Sequence, residues 1–331
     1  MKSQSIYSSL LLCILTFSHF LTIAAERCVD FPDPLNLSKQ VIVDCPPTAN
    51  KDVYVKRQTT NFFEVTHNCS ATAALCNNIK EAFNDAGKEI SKVLKLKQII
   101  KVNATFTDLF DPTLLGAAGS ARYLPLTSDD KIIRLYPQPL VKQFSLSVHP
   151  EYDDYDIIAF FNTGVDWWFK TDNETIGSDQ HDFYLIILHK LIHGLGFISS
   201  WSNLLETVVD QDITGLTPIP DFGVSTSIDY TSQLNESVSV ETSFDTNLEF
   251  ITQVKSSSQW EIAESAFISA TTNDSSGINH VSEKHYDLTP NFLMTWSQAS
   301  GETLEYAIQR GGNYSSPIGP RILSILESIG Y

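Results

Sequence analysis

The residue types able to do chemistry concentrate in His189-Lys190-Leu191-Ile192-His193-Gly194-Leu195-Gly196-Phe197. On a helix, side chains at i and i+4 project from one face, so His189 and His193 can offer imidazole nitrogens to a single metal ion. In zinc hydrolases with this spacing the residue after the first histidine is a glutamate that takes a proton from water at the metal. Here that residue is Lys190. A lysine ammonium accepts no proton and repels a neighbouring dication. The lost function is large, because a positioned general base contributes about 10²- to 10⁴-fold, or roughly 3 to 5 kcal/mol of barrier. Two substitutes are conceivable: a Lys190 desolvated enough to lose its proton, or a carboxylate from Glu283, Asp287, Glu302 or Glu305. A buried helix can also satisfy two such histidines by hydrogen bonds alone, with no metal.

A zinc site needs at least one more protein ligand. Ser199 stands three residues after Gly196, where a compact motif would carry a third histidine. His67, His149 and His181 precede the helix, and at about 1.5 Å rise per residue His181 lies more than about 10 Å from the pair. His280 and His285 remain. Both precede Asn291-Phe292-Leu293-Met294-Thr295, and Met294 is the only methionine after Met1.

The elements that must position these groups follow from the apolar pattern. Asp182 is a natural N-cap, and Phe183 to Leu188 with Leu191, Ile192 and Leu195 make the histidine helix apolar nearly all round, which predicts that it is buried. From Ser70 to Leu94, apolar residues recur at three and four (Leu75, Ile79, Phe83, Ala86, Ile90, Val93), so the spacing predicts an amphipathic helix capped by Ser70 or Thr72, with a weak point at Gly87. Strands are expected over Gln98–Thr107, Ile132–Tyr136 and Asp156–Phe161, with a small-residue loop at Gly116–Ala121. Pro317 is expected to open a last helix capped by Ser316, with Ile322, Leu323, Ile325, Leu326 and Ile329 packed inward. Between Ser202 and Ser276 the chain is Ser/Thr-rich and poorly periodic, with one strand expected at Glu249–Val254. Helix and strand in this order predict an α/β layered fold.

Residues 1–25 have the character of a secretory signal: Lys2, apolar runs from Leu10 to Phe17 and Leu21 to Ile23, then Ala24 and Ala25. No later stretch approaches the roughly 20 apolar residues of a spanning helix. Cys13 leaves with the signal, and Cys28, Cys45, Cys69 and Cys76 remain, most simply paired as Cys28–Cys45 and Cys69–Cys76. Glycosylation triplets begin at Asn36, Asn68, Asn103, Asn173, Asn235, Asn273 and Asn313. The chain is therefore expected to be exported, extracellular and glycosylated. Its net charge of −17 argues against nucleic acid and anionic membrane as partners. The basic pair Lys56-Arg57 makes 26–57 a candidate pro-segment, the other reading being an exposed linker, and leaves 58–331 as the main domain, divided into 58–197 and 198–331.

Taken in order, His189 to Phe197, a long insertion, Asn279-His280-Val281, Phe292-Leu293-Met294 and a terminal helix ending Ile329-Gly330-Tyr331, the chain resembles the leishmanolysin-type metzincin zinc peptidases over roughly Asp156 to Tyr331. The resemblance implies a metzincin-like zincin fold: a twisted mixed sheet, a long N-terminal helix and a buried metal helix, then an irregular C-terminal subdomain. It implies that His280 is the third zinc ligand, with His285 as the fallback, and that Met294 lies beneath the metal. It also implies that the Asp156–Phe161 strand can take a peptide as an added strand. The family's glutamate falls on Lys190. The expected function is a secreted zinc-peptidase homologue that binds a peptide or protein partner without cleaving it. An active endopeptidase with a substitute base and a metal-free structural glycoprotein are the alternatives.

Overall fold

The computed structural model describes residues 22–23, 27–36, 39–49, 60–127, 133–197, 280–281, 286–295 and 297–331. Cys13, Lys56-Arg57, the 202–276 stretch with its expected strand, Glu283 and His285 lie outside the described residues. In chain order the N-terminal elements are β1 (Thr22–Ile23), β2 (Arg27–Asp30), β3 (Val41–Asp44), β4 (Pro47–Ala49), β5 (Phe63–Cys69) and α1 (Ala73–Val93). There follow β6 (Ile100–Thr107), β7 (Gly116–Ser120), β8 (Arg122–Thr127), β9 (Ile133–Pro137), α2 (Gln138–Phe144), β10 (Val148–Pro150) and β11 (Ile157–Asn162). The two-residue strands β12 (Trp167–Trp168) and β13 (His181–Asp182) lead into α3 (Phe183–Gly194). The chain closes with a 3-10 turn at Phe292–Met294, α4 (Leu304–Arg310) and α5 (Pro320–Ile329).

The arrangement is mixed α/β. Its main sheet has the order β5-β6-β11-β7, with β5, β6 and β11 parallel and β7 antiparallel to β11. One face alternates inward along each strand, as in Ile100, Val102, Ala104 and Phe106 of β6 and Ile157, Ala159 and Phe161 of β11. Against it pack α1, through Ile79, Phe83, Ala86 and Ile90, and α3, which is buried nearly all round. The Phe83, Phe161 and Phe183 rings meet edge to face at centroid distances of 5.4 Å and join these layers. Thr72 caps α1 by accepting from Leu75 N. Gly87 is required there because an added Cβ would lie 2.9 Å from Phe63 Cβ.

Three expectations about elements change. Gly116–Ser120 is a strand, not a loop. The Asp156–Phe161 strand is paired on both sides, by β6 and β7, so it offers no edge to an added peptide strand; within the sheet the edge beside α3 is β7. The last helix begins at Pro320 with Gly319 as N-cap, and Ser316 instead accepts from Ile318 N, because the close approach of Gly319 to Pro290 O fixes the chain just before the helix.

The segment expected as a pro-segment is built into the fold. β2 pairs with β3 and β8, β4 pairs with β10, and Asp30 forms a two-pronged ion pair with Arg122 at 2.6 and 2.9 Å. The Cys28–Cys45 disulfide is fully buried. A cut after Arg57 would therefore leave this segment docked rather than release it. The second disulfide, Cys69–Cys76, ties β5 to the first turn of α1. Both pairings match the expectation, and disulfides are characteristic of an oxidising compartment. Among the described residues no helix is long and apolar enough to cross a membrane.

The outer face of the main sheet carries Asn68 on β5 and Asn103 on β6, and Asn68, Asn173 and Asn313 are exposed. Passage through a eukaryotic secretory pathway is expected to put N-linked sugar on these three. Peptide mapping after enzymatic deglycosylation reads it out, and an exported chain with all three asparagines unmodified would contradict the expectation.

Candidate metal centre

The centre forms where α3 passes beneath the Phe292–Met294 turn. Asp182 starts the helix, its Oδ1 accepting from Tyr184 N (2.9 Å) and Leu185 N (3.3 Å) while Oδ2 accepts from Leu304 N (2.8 Å) at the head of α4. Burial raises the Asp182 pKa, and those three backbone donors oppose the rise. One carboxylate thus fixes both the helix that carries the histidines and a helix of the C-terminal part.

At the other end of α3 the chain must turn sharply. Gly196 has φ +110°, and an added Cβ would lie 2.7 Å from Pro137 Cγ. Gly194 lets the helix rest on β11, where an added Cβ would meet Ile157 Cγ2 at 2.6 Å, and its carbonyl accepts from Ser120 Oγ at 2.8 Å. Gly194→Ala is expected to cost about 1–3 kcal/mol by overpacking. Thermal unfolding of the chelator-treated protein measures it, and an unchanged midpoint would show that Ile157 can move aside.

His189, His193 and His280 come together. Their three Nε2 atoms stand 3.0 Å apart in every pairing, and the residues are 2, 5 and 6 % exposed. His189 Nδ1 lies 2.6 Å from Leu293 O and His193 Nδ1 lies 2.7 Å from Phe197 O. A carbonyl only accepts, so both Nδ1 atoms carry the proton and both Nε2 lone pairs point at the shared centre. Burial, reinforced by the Lys190 charge and the neighbouring rings, holds the pKa of His189 well below its usual value; burial, then His280 and Lys190, does the same for His193. Neutral rings facing one another through lone pairs repel, and one cation among them removes the repulsion. Nitrogens about 2.0–2.1 Å from a common ion stand about 3 to 3.5 Å apart, so the observed spacing fits a metal. These are the described residues whose ligand atoms gather closely enough to hold one.

The turn at Phe292–Met294 supports two of the three rings through its backbone. Leu293 O orients His189, and Met294 O accepts from Val281 N at 2.9 Å, directly after His280. Met294 is fully buried in this turn, which packs on α3. The supporting groups, Leu293 O, Phe197 O and Ser120 Oγ, were missed in the sequence. Carbonyls leave no side-chain signal; only Gly196, marking the turn, hinted at Phe197.

Lys190 follows His189 on α3 and is half-buried, with enough protein around it that desolvation lowers its pKa to about 8. Among the described residues it has no ion pair or hydrogen bond. Of the four carboxylates considered as replacement bases, Glu283 lies outside the described residues and the other three are committed elsewhere: Asp287 and Glu302 both pair with Arg310, at 2.7 and 3.2 Å, and Glu305 pairs with Lys170 at 2.7 Å. The other described histidines stay apart. His149 stacks on Tyr152 at 3.8 Å, His67 packs on Phe83, and His181 sits beside Trp167.

Comparison with known proteins decides the family. The SPBPB7E8-like family matches residues 28–222, more than half of the chain. The chain belongs to the SPBPB7E8-like family. A Schizosaccharomyces pombe member of the curated proteins, described as uncharacterized protein PB7E8.01, is 23 % identical over 370 aligned residues, covering 85 % of this chain and 64 % of the yeast protein. The chain thus spans less than two thirds of that relative's length. No solved structure matches. This overturns the leishmanolysin-type resemblance, since the matching family is the SPBPB7E8-like one and no metallopeptidase family is matched. The reason is physical. Two histidines a turn apart on a helix, a glycine where the chain turns at its end and a tight turn whose carbonyls support the rings serve any site of converging imidazoles, so they report the geometry of a site and not its ancestry. Of the expected fold, the structure shows the mixed α/β architecture described above.

Proposed function

We propose that this SPBPB7E8-like protein is an exported metal-binding protein in which His189, His193 and His280 hold one zinc ion without the base needed for hydrolysis. The observation that carries this reading is the mutual 3.0 Å spacing of the three Nε2 atoms, with two Nδ1 atoms committed to carbonyls. Zinc is favoured over harder ions because the three ligands found among the described residues are all imidazoles. Zinc supplies a Lewis acid able to polarise a bound oxygen. The chain's own groups orient two of the imidazoles through Leu293 O and Phe197 O, and Lys190 follows the first of them in sequence, where a hydrolase of this spacing carries its glutamate. Such a centre binds a peptide or protein partner and leaves it intact. The signal-like residues 1–25, the two disulfides and the glycosylation triplets support an extracellular address.

The reading is tested by dialysing the purified protein against zinc and measuring metal per chain by mass spectrometry, beside a casein cleavage assay. About one chelator-removable zinc per wild-type chain, none in His189→Ala, and no cleavage are expected. A wild-type chain without zinc would overturn the metal centre. Chelator-sensitive cleavage would overturn the non-hydrolytic reading.

A further inference from the structure

We propose that a second site, apart from the metal centre, binds a neutral sugar ring in the cavity between α1, residues 169–171 and Tyr184 of α3. The cavity measures about 300 Å³, at the lower end of the range for small-molecule sites. It lies at the start of α3, whereas His189 and His193 stand in the second half of that helix. Its walls are held in place. One is the stretch of α1 from Asn78 to Lys92, and the other is closed by Phe169 N donating to Asp172 Oδ2 at 2.9 Å and Asp172 N donating to Phe169 O at 2.8 Å. A preformed wall spares a ligand the cost of ordering it.

The lining selects against a charged ligand. Glu81, Asp85 and Glu89 stand with Lys88, Lys92 and Lys170, so carboxylates and ammoniums balance. Lys88 pairs with Asp85 at 3.0 Å, Lys92 with Glu89 at 2.6 Å and Lys170 with Glu305 of α4 at 2.7 Å. A cation or an anion would have to displace one of these partners, and a neutral ligand would not. The paired carboxylates keep lone pairs and the ammoniums keep N–H groups, so strong acceptors and strong donors are offered together. Tyr184 adds a hydroxyl that has no hydrogen-bond partner among the described residues. Burial, then Glu89 and Asp85, raises its pKa, so it stays a donor. Ala82, Phe169 and the Tyr184 ring supply the apolar part. A sugar ring has this same combination, with hydroxyls that both donate and accept around a C–H face that packs on aromatic carbon. The sugar can be free or part of a glycan, and the chain has a candidate of its own at Asn173, exposed two residues beyond Thr171 of the cavity wall.

Ligand-observed NMR on chelator-treated protein tests this with glucose, galactose, mannose and N-acetylglucosamine, beside acetate and methylammonium as charged probes. Each is run before and after enzymatic removal of N-linked sugar. The deglycosylated chain is expected to bind at least one of the sugars and neither charged probe. Binding by both forms marks an external sugar as the ligand, and binding only after deglycosylation marks the chain's own glycan as the occupant. Ala82→Leu, which fills the cavity, is expected to abolish the binding, and Tyr184→Phe to weaken it about 3- to 10-fold through loss of one hydrogen bond. Far-UV circular dichroism confirms the fold of every sample. No sugar bound by the deglycosylated chain, equal binding of a charged probe, or undiminished sugar binding by either folded variant would overturn the site. Because the ion is absent throughout, none of these outcomes depends on the metal centre.

Discussion

Replacing His193 with alanine is expected to abolish stoichiometric zinc binding and to remove the zinc-dependent part of the protein's stability. Each ring contributes one Nε2 to a triangle of 3.0 Å sides, so the variant keeps only two ligands. Losing merely the outer partner of a ligand typically weakens metal binding about 10- to 100-fold, and losing the ligand itself does more. By linkage, an ion at 100 times its dissociation constant stabilises the native state by about 2.7 kcal/mol. Wild-type protein should therefore show a zinc-dependent rise in unfolding midpoint, and His193→Ala should show none. In the metal-free state the substitution has a second, opposite effect, because it removes one of the two Nε2 lone pairs, on His189 and His193, that repel when no cation lies between them. If the histidines were only core residues, neither form would take up zinc, and the variant would pay an ordinary packing penalty alone. A titration of midpoint against zinc, run on both proteins, separates the two cases.

Lys190→Glu is expected to have the second large effect, on affinity and on chemistry together. The substitution removes an ammonium whose charge acts on His189 and His193 and adds a carboxylate, and both changes favour a dication. Zinc should bind at least about tenfold more tightly, equivalent to about 1.4 kcal/mol, as measured by competition with a chromophoric chelator. It also supplies a proton acceptor next to the first ligand, a group worth about 10²- to 10⁴-fold in rate where it is positioned as a general base. Cleavage of a casein substrate by the zinc-loaded variant, above the wild-type level and lost with chelator, is the expected result. Lys190→Gln separates the two contributions, since it should gain affinity without gaining cleavage. Tighter zinc in Lys190→Glu without any cleavage would mean that a substrate-positioning element is also missing.

Much of this site could be read from residue type and spacing. His189 and His193 declare themselves by their separation, Asp182 by its place before an apolar run, and the two disulfides by the closeness of their cysteines in sequence. His280 was one of two alternatives, and it entered through a resemblance that the family comparison overturned; its place at the centre is given by the distances. What stayed hidden has a common cause. Gly116–Ser120 looks like a loop because it has none of the β-branched residues that mark strands, yet those small residues are what allow β7 to lie close under α3. The carbonyls of Leu293 and Phe197 set the tautomers of two ligands, but a backbone oxygen has no letter in the sequence. The docking of residues 27–49 depends on pairing across distant strands, which no local pattern records.

That three histidines from two distant segments close on one ion is most directly tested by zinc K-edge X-ray absorption on protein loaded with one equivalent of zinc. The account predicts a first shell containing three imidazole nitrogens at about 2.0–2.1 Å, falling to two in His280→Ala. A shell without imidazole scattering, or one unchanged by His280→Ala, would contradict it.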